Sequence, residues 1–177
     1  ISQVNALQKI KHKIPQWSGV EGLVFPSKVS FEQCSSSETG LYKANILSGL
    51  DSVVDFTGGF GVDTYYFAKN AKKVTYFERN ASLCEIVKHN FRCLDIANVS
   101  IYNEDSATWI ANNAGKVNFD MAYLDPARRG SANTKLFKLE DCEPNVLELM
   151  PQLTKMASKI LIKLSPMVDL SMLVKAI

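Results

Sequence analysis

The chain of 177 residues has only two histidines and four cysteines. Cys34, Cys84, Cys93 and Cys142 fall at no CxxC or Cys/His ligand spacing, which argues against a structural metal. Free thiols in a reducing cytoplasm are the simpler reading. His12 and His89 fall in expected helices with no partner pattern, and Cys34 has no recognisable base beside it, so none is a candidate for acid–base or nucleophilic chemistry. No apolar run approaches the roughly 20 residues that a membrane span needs, and no signal peptide is visible. Repeats and low-complexity tracts are also lacking. The net charge of +2 is too small to indicate nucleic-acid binding by itself, although local basic clusters can still serve it. The chain begins with Ile1 rather than Met, as expected of a fragment.

What is present is a globular composition, 46% hydrophobic and 21% charged, long enough for one domain with a sizeable core. Val4, Leu7, Ile10 and Ile14 recur at helical spacing and Pro15 closes that segment. Residues 16–34, with Gly19, Gly22 and Pro26, look irregular. Ser35-Ser-Ser-Glu38 is a capping-box pattern that predicts a helix over 36–47. From Ser52 onward, short β-branched and aromatic runs (52–56, 73–78, 98–103, 119–125, 159–165) alternate with helical patterns (62–70, 80–95, 105–113, 143–157). In the second helix Leu83, Ile86, Val87, Phe91 and Leu94 share a face, and Asn80 is placed to cap it. Such alternation predicts an α/β fold, a mostly parallel sheet with helices on both faces. An N-terminal helical extension over 1–48 is expected to pack on a core over 49–177. Ligands of such sheets sit outside the C-terminal ends of the strands.

The informative residues fall at those ends. Ser52-Val-Val-Asp-Phe-Thr-Gly-Gly-Phe-Gly-Val-Asp63 reads as a buried strand, a glycine-rich turn and a helix start. In it Gly58, Gly59 and Gly61 allow close backbone approach to a ligand. Asp55 can order the turn or accept a bond from a ligand ammonium. The plain alternative is a tight strand-to-helix turn with no ligand. Glu78 ends the second strand about 20 residues after the turn, where a carboxylate can accept both ribose hydroxyls. Arg79 can cover an adenine face or simply be solvated. After the third strand, Asp105 and Ser106 open a helix; Asp105 can accept a bond from an adenine amino group, cap the helix, or do both.

Phe119-Asp-Met-Ala-Tyr-Leu-Asp125-Pro126-Ala-Arg128-Arg129-Gly130 ends a strand in an acid stiffened by proline. Asp125 there can accept a hydrogen bond from an N–H nucleophile and orient its lone pair for an in-line methyl transfer. Alone, Asp-Pro is also a common turn starter. Arg128 and Arg129 suit phosphate. Residues 130–142 are long for a connection and read as a substrate-contacting loop.

With these residues in place, the chain resembles class I S-adenosylmethionine-dependent methyltransferases over about residues 30–166. The resemblance implies a Rossmann-like sheet, S-adenosyl-L-methionine as cofactor and no metal. It carries the methionine end of the cofactor to Asp55, Thr57, Gly59 and Gly61, the ribose to Glu78 and the adenine to Asp105. It gives Asp125-Pro126 the place of the Asp/Asn-Pro-Pro-aromatic motif of enzymes that methylate base nitrogens. Gln33-Cys-Ser35-Ser resembles the segment that closes over the methionine carboxylate in several RNA methyltransferases. Together with Asp125-Pro-Ala-Arg-Arg129 it is most similar to bacterial methyltransferases carrying a THUMP-like domain, which implies tRNA or rRNA as substrate. Three departures stand out. Thr57 replaces the first glycine, as in much of the RNA-modifying branch. Ala127 and Arg128 replace the second proline and the aromatic that would stack on a flipped base. The sequence also stops soon after the fifth strand, where the family adds an antiparallel hairpin, so a truncated chain is expected.

Other functions remain in play. A nicotinamide oxidoreductase fits Glu78, but GxGxxG fails because Thr64 stands where glycine or alanine is required. A non-catalytic module of the cofactor fold, binding nucleic acid or protein, fits the altered motif at Ala127. Methylation of a small molecule or protein is a further alternative. Oligomeric state stays open.

Overall fold

The computed structural model describes residues 3–46, 49–128 and 142–164. Five strands form one parallel sheet: β1 (Ser52–Asp55), β2 (Lys73–Phe77), β3 (Val99–Tyr102), β4 (Phe119–Leu124) and β7 (Ala157–Ile162), in the order β3-β2-β1-β4-β7. The order reverses between β1 and β4, and that reversal opens a crevice at their C-terminal ends. Asp120 sets the register at the other end, because its Oδ2 accepts from the backbone N–H groups of Asp51 and Ser52, both at 2.8 Å.

The strands alternate apolar residues between two layers, as a sheet buried on both faces requires. Val53, Val74, Tyr76, Met121 and Tyr123 face a larger core with α4 (Val62–Ala68) and α5 (Ala81–Cys93). Val54, Phe77, Ala122 and Leu124 face a smaller one with α6 (Ser106–Asn113) and α7 (Val146–Leu153). Polar caps start three of these helices: Asn80 accepts from Leu83 N–H, Asp105 from Thr108 N–H and Asn145 from Leu147 N–H.

The N-terminal extension comprises α1 (Gln3–Lys13), a 3-10 turn (Pro15–Trp17), α2 (Lys28–Gln33) and α3 (Ser37–Ile46). Ala6, Ile10, Ile14, Trp17, Phe25 and Phe31 join the larger core. Every residue of α4 is buried in consequence. Two details differ from the sequence expectation. Residues 16–34 are not wholly irregular, since Lys28–Gln33 is helical and buries Phe31 against Phe25 and Phe60. The cap of α3 is Ser36, whose Oγ accepts from Thr39 N–H at 3.4 Å, whereas Ser35 turns inward to Asp63.

A two-stranded antiparallel ribbon, β5 (Ala127–Arg128) with β6 (Cys142–Glu143), was not apparent in the sequence. It moves Cys142 out of the expected substrate loop. Residues 130–141 of that loop, together with Arg129, lie outside the described residues.

Candidate functional site

The glycine turn is held from behind by side chains. Asp55 is fully buried; its Oδ1 accepts from Thr57 N–H (3.0 Å) and its Oδ2 from the Thr64 hydroxyl (2.7 Å). Burial pushes its carboxyl up to about 7, despite those two donors. Asp55 therefore organises the turn and is not among the residues lining the crevice, which differs from a direct ligand contact. Gly59 and Gly61 have φ of +54° and +79°, where a side chain would be strained. Gly58 is required for a different reason: a Cβ there would stand 2.0 Å from the buried Tyr76 ring. Tyr76 in turn donates its hydroxyl to the Gly59 carbonyl at 2.6 Å.

In front of this turn lies a cavity of about 750 Å³, within the range of cofactor sites. Thr57, Gly58, Gly59 and Gly61 form its floor. Glu78 and Arg79 close it beyond β2, Asp105 and Ser106 beyond β3, and Asp125 beyond β4. Gln33 and Ser35 come from the N-terminal extension. The expected cofactor residues other than Asp55 thus converge on one cavity. Pro126 is not on its wall, and Arg128 reaches the ribbon by its backbone.

Each acid is already partly engaged. Glu78 accepts from Gly59 N–H (3.2 Å) and Asn80 N–H (2.7 Å), tying the end of β2 to the turn. Asp105 accepts from Thr108 N–H (2.9 Å) and the Thr108 hydroxyl (2.7 Å) through Oδ2, as an N-cap does. The Asp125 backbone N–H donates to Thr57 Oγ1 at 2.6 Å, so Thr57 links the turn to the end of β4. Burial raises the Asp125 carboxyl, while Lys163, paired with its Oδ2 at 2.6 Å, acts against that rise.

The sequence reading missed several of these partners. Lys163 follows β7 and had no motif to mark it. Arg79 bonds Glu143 at 2.6 Å across the cavity mouth, a pairing visible only once β6 is placed. Lys43 of α3 is buried against Asp63 at 2.5 Å, with Ser35 and Tyr123 in the same network. Burial lowers the Lys43 ammonium, and burial beside Asp63 raises the Tyr123 hydroxyl. A lysine inside a helical pattern gives no signal of this kind.

The wall is acidic. Asp63, Glu78, Glu104, Asp105, Asp125, Glu143 and Glu148 line it, and although Lys43, Lys163 and Arg79 pair with Asp63, Asp125 and Glu143, the acids still outnumber the cations beside them. Such a lining favours a cationic ligand and disfavours a pyrophosphate. The donor set suits S-adenosylmethionine on three counts: a glycine cradle that a Cβ would fill, a carboxylate beyond β2 for a ribose, and negative potential for a sulfonium. No group of three or more His, Cys, Asp or Glu suited to a metal is found among the described residues, nor is any helix there long and apolar enough to cross a membrane.

Comparison with known proteins places the chain. The family model described as Conserved hypothetical protein 95 matches residues 50–146. A solved protein of Porphyromonas gingivalis W83, called a "putative methyltransferase", is 32% identical with a TM-score of 0.87; the alignment covers 99% of this chain and 43% of that one. The chain thus spans less than half of that relative's length. Two more distant structures share the fold. A precorrin 8W decarboxylase of Methanobacterium thermoautotrophicum has 16% identity and a TM-score of 0.57, covering 81% of this chain and 69% of that one. A SAM dependent methyltransferase of Agrobacterium tumefaciens has 18% identity and a TM-score of 0.51, covering 82% and 43%. No curated protein matches the chain. The chain belongs to the family described as Conserved hypothetical protein 95, and its sheet has the Rossmann-like arrangement of the class I methyltransferases.

Proposed function

We propose that this chain is the catalytic core of an S-adenosylmethionine-dependent methyltransferase. One observation carries the reading: a single acidic cavity at the β1/β4 reversal gathers the glycine turn, Glu78, Asp105 and Asp125. The name of the P. gingivalis relative supports it. The cofactor supplies a methyl group on a sulfonium. The residues of this chain supply position and electrostatics. The turn and Glu78 hold the ligand against the strand ends, and the acidic wall favours its positive charge. Asp125, held by Thr57 from one side and Lys163 from the other, lines the cavity at the end of β4, and we assign it to the acceptor. Its carboxylate orients the nucleophile and takes up the proton that the methylated group releases.

The acceptor we favour is a base nitrogen of tRNA or rRNA. The likeness of Gln33-Cys-Ser-Ser36 and Asp125-Pro-Ala-Arg-Arg129 to RNA methyltransferases with a THUMP-like domain supports it, as do two adjacent arginines suited to phosphate. Cysteines that are not joined in disulfides fit a cytoplasmic enzyme. Incubation with labelled S-adenosylmethionine and total bacterial RNA tests the proposal. Wild type transfers label to base nitrogens, and Asp125→Ala loses rate while keeping cofactor affinity. Cofactor binding with no transfer, unchanged by Asp125→Ala, favours a non-catalytic module instead.

A further inference from the structure

Asp63 sits on the cavity wall at the start of α4, with its side chain only 10% exposed. Its two oxygens are unequally served. Oδ2 accepts from Lys43 Nζ at 2.5 Å, from Ser35 Oγ at 2.9 Å and from Tyr123 Oη at 2.8 Å. Oδ1 is sealed from solvent and has no hydrogen-bond partner. A buried carboxylate oxygen left in that state is costly, because the desolvation of a charged acceptor goes uncompensated.

The donors around it are committed. Lys43 directs its three N–H groups to Asp63 Oδ2, Ser35 Oγ (2.9 Å) and Tyr123 Oη (2.8 Å). The Ser35 and Tyr123 hydroxyl protons both go to Oδ2. The network therefore has no donor left for Oδ1, and the open side of Asp63 is the cavity. A donor for Oδ1 has to arrive from the cavity, as a ligand or as a water that a ligand displaces. It must also suit an acidic wall, which favours a cation, and the Ser35 side of the cavity, away from Glu78.

We propose that Asp63 is a cofactor-binding residue that receives the α-ammonium of the methionine end, with Lys43 as the positioning residue that holds its carboxylate from behind. The inference rests on the cofactor reading above and adds a contact that the glycine turn does not supply. A partial rotation about the Cβ–Cγ bond of Asp63, a broad torsion, turns both oxygens together, so Oδ1 moves toward the cavity as Oδ2 shifts against the flexible Lys43 ammonium. An ammonium then gives the orphaned oxygen a charge-assisted bond. The N-terminal extension thereby takes part in cofactor selection, because Lys43 and Ser35 both belong to it.

Calorimetry with three ligands tests this: S-adenosylhomocysteine, its analogue with the amine replaced by hydrogen, and 5′-methylthioadenosine, which lacks the amino-acid end. Wild type is expected to bind the deaminated analogue about tenfold or more weakly than S-adenosylhomocysteine. Asp63→Asn and the double variant Lys43→Met/Asp63→Asn, which removes both charges together, are expected to bind those two alike. Retained affinity for methylthioadenosine shows that a variant is folded. If neither variant binds it, the wild-type comparison alone decides. Equal affinity of wild type for the first two ligands, or full discrimination kept by a folded variant, overturns the inference alone. No binding of any of the three to wild type overturns the cofactor reading and the inference with it.

Discussion

Replacing Gly58 by alanine probes how tightly the turn is pressed onto the sheet. The added Cβ would lie 2.0 and 2.2 Å from Cε2 and Cδ2 of Tyr76, well inside any tolerated contact. The ring cannot swing away, because Tyr76 is fully buried in β2 and its hydroxyl is bonded to the Gly59 carbonyl. Relief requires the turn to lift off the sheet, which pulls the Gly59 carbonyl away from the Tyr76 hydroxyl. Overpacking of this kind costs about 1–3 kcal/mol, and losing the Tyr76–Gly59 bond adds about 1 kcal/mol. For a domain of this size, each kcal/mol lowers Tm by about 2–4 °C, so Gly58→Ala is expected to lose about 5–15 °C. Cofactor affinity falls with it, since Gly58 and Gly59 line the cavity. Thermal denaturation and calorimetric titration of the same preparations read both effects. Tyr76→Phe isolates the hydroxyl and costs about 1 kcal/mol alone. Tyr76→Ala combined with Gly58→Ala removes the clash, so its loss is smaller than the sum of the single losses. A Gly58→Ala protein with unchanged Tm and affinity would refute the argument.

Asp55 gives stability a pH dependence. Its carboxyl is raised from the ordinary 3.8 to about 7, so the native state holds a proton that the unfolded chain has already lost. Stability contributed by this group therefore declines as pH rises from about 4 to about 7 and is flat above that, by up to about 4 kcal/mol. Burial also raises Asp125, which adds a fall of the same sign. Asp55→Asn flattens the slope, and denaturant titrations at pH 4.5, 6 and 8 check it; an undiminished slope contradicts the assignment. Lys163→Met removes the cation that restrains Asp125, so the Asp125 carboxyl titrates at a higher pH, as followed by carboxyl carbon NMR; an unmoved titration excludes the pairing in solution. Arg79→Ala breaks an exposed ion pair with Glu143, and by denaturant unfolding it changes stability by less than about 1 kcal/mol despite the short contact.

The sheet was legible because its strands are short apolar runs punctuated by glycine, Asn and Asp, and because the caps Asn80 and Asp105 sit where the helical patterns begin. The crevice followed from strand alternation and the glycine turn, whereas Gln33 and Ser35 were brought to it only by the family resemblance. What escaped was whatever depends on contacts distant in sequence. Lys43 is paired with residues 20 and 80 positions away, and Lys163 with one 38 away. Such pairs carry no local pattern, since a lysine in a helix or after a strand reads as solvated. Asp55 shows the converse. Its position was read correctly, but only the packed structure shows its oxygens turned to Thr57 and Thr64 and away from the cavity. The short helix Lys28–Gln33 was obscured by flanking glycine and proline, and it is anchored by burial of Phe31 rather than by a capping pattern.

The cavity's choice of ligand is the central claim, and calorimetric titration of the purified chain with S-adenosylmethionine, and separately with NAD, tests it most directly. The account predicts micromolar binding of S-adenosylmethionine, abolished by Gly59→Val and weakened by Glu78→Ala, with no measurable binding of NAD. Binding of NAD in preference, or S-adenosylmethionine affinity indifferent to both substitutions, would contradict it.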